Sequence, residues 1–122
     1  MNNNKLLAVI LLFLFSLCVQ AADLNGTWTA TFTTQIGEQN YTYDFKVAGT
    51  ALTGTITTAN GEATLTDGKV DGKTIMFTES LKYQGQDLKI TYKGEMTGND
   101  EINFTRNVAG VADEKLTAKR KK

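Results

Sequence analysis

The stretch that decides the fold runs from Gly26 to Thr34 and has the sequence GTWTATFTT. Trp28, Ala30 and Phe32 fall on one side of an extended chain, and the threonines between them fall on the other, because side chains on a strand alternate between its two faces. This arrangement predicts a β-strand with one apolar face and one face that carries hydroxyl groups. The later segments of the chain repeat the pattern.

The same alternation recurs in further short runs that are separated by turn-forming residues. The predicted strands are 26–34, 41–47, 52–57, 63–67, 74–79, 88–93, 102–106 and 116–120. No apolar set recurs at helical spacing over three turns. Short strands joined mostly by tight reversals predict an all-β fold, a single antiparallel up-and-down eight-stranded barrel, in which pairing of the first strand with the last removes the exposed edges. A two-sheet β-sandwich accommodates the same alternation and stays open as the alternative.

Several glycine-containing pairs mark the predicted turns. Asn60-Gly61 is the strongest hairpin signal, because both residues tolerate the left-handed backbone angles of a type I′ turn. Gln84-Gly85 predicts another hairpin. Asp67-Gly68 and Asp71-Gly72 bracket a predicted tight connection.

Three other positions have consequences for the shape of the barrel. Gly54 falls on the inward face of its strand, where a glycine usually marks a bend or a close approach of two backbones. The sequence predicts a loose link over Gly94–Asp100. Asn107–Asp113 is the longest segment without alternation and is therefore the predicted mobile loop.

The first residues have the features of an export signal. Met1–Lys5 is polar with one positive charge, Leu6–Val19 is apolar, and small residues follow at the position that a leader peptidase reads. The apolar run is shorter than the roughly 20 residues that a membrane-spanning helix needs. We therefore expect a signal peptide over 1–21, a barrel domain with a basic C-terminal tail over 22–122, no membrane span, and a periplasmic or extracellular location.

The composition argues against several classes of function. The chain has 13 basic and 13 acidic residues and no histidine, and its single cysteine, Cys18, lies within the predicted signal peptide. The usual general base, thiol nucleophile and soft metal ligands are therefore missing from the mature chain. We expect a monomer that is not an enzyme and that has no cofactor or metal. The balanced charge also argues against nucleic-acid binding.

The start of the first strand resembles a known signature. Gly26-Thr27-Trp28 is similar to the Gly-x-Trp sequence that opens lipocalins, avidins and related calycin barrels. The resemblance implies that Trp28 closes one end of a barrel and that an arginine from a late strand packs across its ring. Arg106 and Arg120 are both on predicted inward faces, so either can fill this role. A guanidinium over an indole contributes about 0.5–2 kcal/mol.

A wider similarity covers nearly all of the predicted mature chain. The chain resembles small exported bacterial lipocalin-like domains of unknown function, through Leu52–Ile56, Asp67–Gly72, Tyr92–Gly94 and Leu116–Arg120. It is shorter than lipocalins and lacks their C-terminal helix and disulfides. A barrel of eight strands is either filled by its own side chains or holds one small ligand.

Inward-facing aromatic and polar residues form the candidate ligand site. The aromatic residues suit a packed core, but the additional hydroxyl and charged groups favour a cavity with polar anchors. The candidate cavity residues are Trp28, Phe32, Tyr41, Tyr43, Phe45, Phe77, Glu79, Tyr92, Phe104, Arg106 and Arg120. We expect Glu79 to reach water at the barrel end or to pair with Arg106 rather than to act as a catalytic acid.

Three functions fit these observations. The favoured one is an exported barrel that binds a small apolar or amphipathic ligand at its open end, with Arg106 or Arg120 and the tyrosines as polar anchors. The second is a protein-binding module, such as an inhibitor of a periplasmic hydrolase, that uses a flexible N-terminus, Ala22–Asn25, or the Asn107–Asp113 loop. The third is a structural domain associated with the cell envelope through the basic tail.

Overall fold

The computed structural model describes residues 23–122, so the predicted signal peptide lies outside the described residues. These residues form one antiparallel sheet with nine strand segments. The strands are β1 (Gly26–Thr34), β2 (Gly37–Ala48), β3 (Ala51–Thr58), β4 (Gly61–Thr64), β5 (Thr66–Asp71), β6 (Thr74–Tyr83), β7 (Gln86–Gly98), β8 (Glu101–Val108) and β9 (Ala112–Arg120). Both β4 and β5 pair with β3, on either side of Leu65, so together they fill one strand position.

The sheet closes on itself. The strand order is β2-β1-β9-β8-β7-β6-β5-β3-β4, and β2 also pairs with β3. The first and last strands pair through Trp28 opposite Arg120 and Thr29 opposite Lys119. The predicted fold, an up-and-down barrel of eight strands, is confirmed, and the two-sheet sandwich is excluded because pairing continues around the whole ring. Within residues 23–122, no helix has the length and apolar character needed to cross a membrane.

The lower part of the barrel interior, which is the part nearer the start of β1, is filled by aromatic rings. In β1 the apolar residues are buried and the threonines between them are exposed, as the alternation predicts. Five buried rings pack together with centroids 4.3–6.2 Å apart: Tyr43, Phe45, Phe77, Tyr92 and Phe104. Most of these pairs are edge-to-face or tilted, the geometry that aromatic quadrupoles favour.

The turns differ from the sequence prediction at one hairpin. Asn60 does not have a positive φ, so the β3–β4 turn is not type I′. Instead the Asn60 N–H donates to the Thr58 hydroxyl at 3.1 Å. Type I′ angles occur at Gln84-Gly85, with φ of 53° and 79°, where the sequence predicts a hairpin. They also occur at Ala109-Gly110, with φ of 52° and 75°, where alanine gave no turn signal.

The predicted turn at Asp67-Gly68 is wrong, because β5 continues through it to Asp71. Asp67 has a φ of 54°, and the pairing register with β6 shifts between Thr66 and Lys69. These are the features of a β-bulge, which places turn-forming residues inside a strand. The tight connection is confined to the residues between Asp71 and Thr74.

The predicted loose link over Gly94–Asp100 is mostly strand. β7 extends to Gly98, and Met96 is buried. Tyr92, Gly94 and Met96 continue the inward alternation, so burial of Met96 keeps the chain extended where the glycines indicated a link.

The predicted mobile loop over Asn107–Asp113 is an ordered hairpin. β8 continues to Val108 and β9 begins at Ala112, so three residues form the turn. The Asn107 Nδ2 donates to Asp113 Oδ1 at 2.8 Å, and the Val111 N–H donates to the Val108 carbonyl at 2.8 Å. Cross-strand pairing replaces the irregular segment expected from the sequence.

Close packing requires glycine at Gly54 and Gly94, which both lie on the inward face. A Cβ on Gly54 would overlap the carbonyl oxygen of Asp44 on β2, which confirms the predicted close backbone approach. A Cβ on Gly94 would overlap the ring of Phe104 on β8. The narrow interior therefore uses glycine where a ring or a backbone occupies the space of a side chain.

We expect Gly94→Ala to lower the free energy of unfolding by about 1–3 kcal/mol, because the added methyl group overpacks the core against Phe104. Gly98→Ala is the matched control on the same strand, since nothing lies within 4 Å of its Cβ and neither glycine has a left-handed φ. Its effect should stay within about 0.5 kcal/mol. Urea denaturation measures both values, and equal losses would contradict the packing explanation.

Candidate ligand-binding site at the barrel mouth

One end of the barrel is sealed by Trp28 and Arg120. Trp28 is fully buried, and its Nε1 donates to the Leu24 carbonyl at 3.0 Å. The Arg120 guanidinium carbon lies 4.4 Å from the centre of the indole ring. Of the two arginines that the resemblance left open, Arg120 packs on Trp28, and Arg106 lies elsewhere in the barrel.

Arg120 also fixes the chain that precedes β1. Its guanidinium donates to the carbonyl oxygens of Asp23, Asn25 and Asn99 at 2.7, 2.8 and 2.9 Å. The Val47 N–H donates to Asn25 Oδ1 at 2.8 Å. The described part of the predicted flexible N-terminus, Asp23–Asn25, is therefore held against the barrel by hydrogen bonds.

The opposite end of the barrel contains a cavity of about 160 Å³. The β1–β2 and β3–β4 turns contribute to its rim through Ile36 and Asn60. Its apolar walls are Ile36, Leu81, Leu88, Ile90, Val108 and Ala112, and its deeper polar residues are Tyr41, Arg106 and Glu114. An apolar cavity with a few convergent polar groups is the usual form of a small-molecule site.

The outer wall carries larger but open depressions. One of about 970 Å³ lies along β1, β8 and β9 and is lined by exposed residues such as Thr31 and Lys119 and by buried ones such as Phe32 and Leu116. The exposed side chains belong to the outward face of the strands, so a molecule there stays largely in contact with water. The mouth cavity is smaller, but inward-facing side chains surround it, and it is therefore the candidate site.

Arg106 lies at the floor of the cavity, at the centre of a buried polar network. Its Nε donates to the Tyr92 hydroxyl at 2.9 Å, and its Nη1 donates to Glu114 Oε1. Its Nη2 donates to the Tyr41 hydroxyl at 3.0 Å and to Glu79 Oε1 at 3.4 Å. Four side chains from four other strands thus hold one guanidinium in place.

The strand register explains how these residues meet. Arg106 lies directly opposite Tyr92 on β7 and Glu114 on β9. Tyr41 on β2 and Glu79 on β6 reach the guanidinium across the barrel interior. The guanidinium carbon also lies 5.1 Å from the ring centres of Phe32 and Tyr41. Cation–π contacts therefore supplement the hydrogen bonds.

Tyrosine hydroxyl groups extend the network into the core. The Tyr43 and Tyr92 hydroxyl oxygens are 3.0 Å apart, and the Tyr92 hydroxyl donates to Glu79 Oε1 at 2.8 Å. Glu79 therefore pairs with Arg106, as one sequence interpretation expects, but it does not reach water, because its side chain is 1% exposed. Every buried side-chain nitrogen and oxygen among the described residues has a hydrogen-bond partner.

The network contains more carboxylates than cations. Two carboxylates, Glu79 and Glu114, contact the single guanidinium of Arg106. The positive charge of Arg106 is thus matched within the protein before any ligand binds. Among residues 23–122, histidine, cysteine and acidic side chains form no group of three or more that is suited to a metal ion.

Burial favours the protonated form of the three tyrosines in the network. Burial, with help from the nearby Glu79 charge, raises the pKa of Tyr41 to about 12. Burial also raises the pKa of Tyr43 and of Tyr92 well above the ordinary value. For Arg106 burial alone would lower the pKa, but the surrounding Tyr92, Tyr41 and Glu79 outweigh it and the pKa is raised. The three tyrosines are therefore neutral and Arg106 is charged at neutral pH.

The candidate residues from the sequence fall into four groups. Tyr41 and Arg106 line the cavity. Glu79, Tyr92 and Phe32 contact Arg106 beneath it, Tyr43, Phe45, Phe77 and Phe104 belong to the aromatic core, and Trp28 and Arg120 lie at the sealed end. Ligand contact by any of them stays a prediction.

Sequence reasoning missed much of the cavity wall. Leu81 and Val108 lie just past the predicted ends of their strands, and Ala112 and Glu114 lie before the predicted start of the last strand. The sequence does indicate Ala112 and Glu114, because they precede the inward residue Leu116 by an even number of residues and so fall on the same face of the strand. The predicted strands stop short of these residues, because turn-forming residues such as Asn107 and Asp113 interrupt the apolar alternation.

Arg106→Met tests the network. The substitution leaves Glu79 buried without its counter-charge, so we expect the free energy of unfolding to fall by about 3–5 kcal/mol in urea denaturation. Adding Glu79→Gln to Arg106→Met removes one of the unpaired carboxylates and should restore part of the loss. A double variant that is less stable than the single one would contradict the charge pairing.

The raised pKa of Tyr41 predicts a loss of stability at alkaline pH. The native pKa of Tyr41, about 12, exceeds its ordinary value of 10.0. Stabilisation by the neutral hydroxyl is therefore complete below pH 10 and is lost as pH rises toward 12. Tyr41→Phe should make this loss smaller. Tyrosinate absorbance and circular dichroism should change together, and ionisation of all four tyrosines with the barrel intact would contradict the prediction.

No family model matches the chain, and no curated protein matches it. Among solved structures, the barrel is similar to a redesigned beta barrel, mFAP0, bound to DFHBI, with a TM-score of 0.56 and 17% identity over 80% of this chain and 98% of that chain. A second redesigned barrel, mFAP1, also bound to DFHBI, matches with a TM-score of 0.53 and 14% identity over 80% of this chain and 94% of that chain. At these identities the similarity establishes the closed β-barrel fold.

Proposed function

We propose that this protein is an exported, non-enzymatic, lipocalin-like barrel that binds one small, partly apolar molecule in the cavity at its mouth. The observation that carries the proposal is the cavity of about 160 Å³ above a fixed polar floor, in a barrel whose lower part is filled by aromatic rings. Apolar walls provide hydrophobic burial, and the polar floor provides orientation.

The size of the cavity limits the ligand. An engineered apolar cavity of about 150 Å³ in another protein binds benzene. A cavity of about 160 Å³ therefore suits a single ring with a small substituent, or a branched alkyl group of similar size. A long lipid chain does not fit below the rim, because the aromatic rings of Tyr43 and Phe77 occupy the space beneath the network.

Three further observations support the proposal. The redesigned barrels that share this fold are bound to DFHBI, so binding of a small molecule is compatible with the architecture. The polar Met1–Lys5 segment and the apolar Leu6–Val19 run support export. The resemblance of Gly26–Trp28 to the calycin signature supports the lipocalin-like assignment.

A protein-binding function is the second candidate. The segments first expected to mediate it, the N-terminus and Asn107–Asp113, are held by hydrogen bonds. The turns at the mouth favour it in another way, because Ile36 and Val111 expose 56% and 80% of their surface there. A stoichiometric protein recovered with the wild type, and lost from an Ile36→Ser/Val111→Ser variant, would support this candidate.

The ligand-binding proposal is tested by filling the cavity. Ala112→Phe places a ring in the mouth, and Ala48→Phe adds the same ring to an exposed position near the sealed end as a control. We expect benzyl alcohol to shift the amide resonances of Leu81 and Leu88 saturably in the wild type and in Ala48→Phe. Ala112→Phe should weaken the apparent affinity at least tenfold. Absence of saturable shifts in the wild type, or equal binding by Ala112→Phe, would overturn the proposal.

A further inference from the structure

We infer that the mouth cavity selects its ligand by charge, and that it takes a single-ring amine or neutral molecule in preference to an anion of the same shape. This inference rests on the proposed function, because it concerns the same cavity. An inward arginine would by itself attract an anionic group, so the inference depends on the residues that surround Arg106.

The first step is the charge balance beneath the cavity. The Arg106 side chain is 3% exposed, and its two carboxylate partners, Glu79 and Glu114, are 1% and 10% exposed. Charges with so little contact with water are weakly screened. Because two carboxylates contact one guanidinium, a bound anion would meet an existing excess of negative charge.

The second step concerns the hydrogen-bonding groups that remain for a ligand. The Arg106 contacts described above use four of the five N–H groups of a guanidinium. Glu114 accepts a hydrogen bond from Arg106 through Oε1. Among the described residues none donates to Glu114 Oε2, so Oε2 can accept a hydrogen bond from a ligand. The Tyr41 hydroxyl accepts from Arg106 and keeps its own proton to donate.

The third step is the fit of a ligand to these groups. Glu114 and Tyr41 both line the cavity, together with the apolar side chains of Leu81 and Leu88. An ammonium or hydroxyl group on a short arm can donate to Glu114 while its ring packs between the leucines. A carboxylate in the same place faces the Glu114 carboxylate, while the Tyr41 hydroxyl and the remaining guanidinium N–H donate to it. The amides of Gln35, Gln39 and Asn60 also line the cavity, but an amide both donates and accepts, so these groups do not favour an anion over an amine or a neutral molecule.

Three probes with the same ring test the inference: benzylamine, benzyl alcohol and benzoate. Titration calorimetry or amide chemical shifts should give benzylamine an affinity at least tenfold higher than that of benzoate, with benzyl alcohol between them. Benzoate binding as tightly as benzylamine would overturn the inference while leaving the proposed function standing. Failure of all three probes to bind would overturn both.

Charge-matched variants identify the source of the selectivity. Glu114→Gln keeps the shape of the side chain and removes the excess carboxylate, so the benzylamine-to-benzoate affinity ratio should fall at least tenfold. Glu95→Gln makes the same change in net charge at an exposed position on β7 and should leave the ratio unchanged. Equal changes in both variants would assign the preference to overall charge and overturn the inference.

The wild-type protein offers a test that does not depend on the folding of a variant. A buried charge is screened much less than a surface charge by dissolved salt. We therefore expect the affinity ratio to persist when the ionic strength is raised to about 1 M, where the screening length is roughly 3 Å. Collapse of the ratio toward one at high salt would overturn the inference.

Discussion

Closure of the sheet between β1 and β9 is the constraint on which the rest of the structure depends. The backbone ladder there consists of two residue pairs, Trp28 with Arg120 and Thr29 with Lys119. Side chains reinforce this short ladder, because Arg120 covers the Trp28 ring and binds the carbonyl oxygens of the chain before β1. Closure removes the exposed strand edges, and the Trp28–Arg120 contact covers one end, so the cavity lies at the other.

The polar network divides the interior into a filled core and a cavity. Below it the rings of Tyr43, Phe77 and Phe104 leave no room for a ligand, and above it apolar side chains surround open space. Well-packed apolar residues commonly stabilise a core as well as a buried ion pair does, so stability alone does not explain a guanidinium at this position. The network does fix the orientation of Tyr41 and Arg106 at the cavity floor, which is what a selective site requires.

The strand predictions failed where turn-forming residues lie inside paired strands. Gly94 and Asp67 indicate loops by composition, but in the barrel Gly94 makes room for Phe104 and Asp67 forms part of a bulge. Asn107 and Asp113 likewise bind each other across a hairpin. In each case a partner distant in sequence satisfies the backbone or side chain, and this long-range pairing outweighs local propensity.

The sequence by itself determined the barrel class and the direction of the side chains, including the inward position of Tyr41, Glu79 and Arg106. That information is local, because the two faces of a strand alternate with a fixed period of two residues. Only the tertiary structure decided that Arg120 seals one end and that Glu79 and Glu114 match the charge of Arg106. Contacts across the interior depend on which strands pair and in what register. A period of two along each strand does not specify that register.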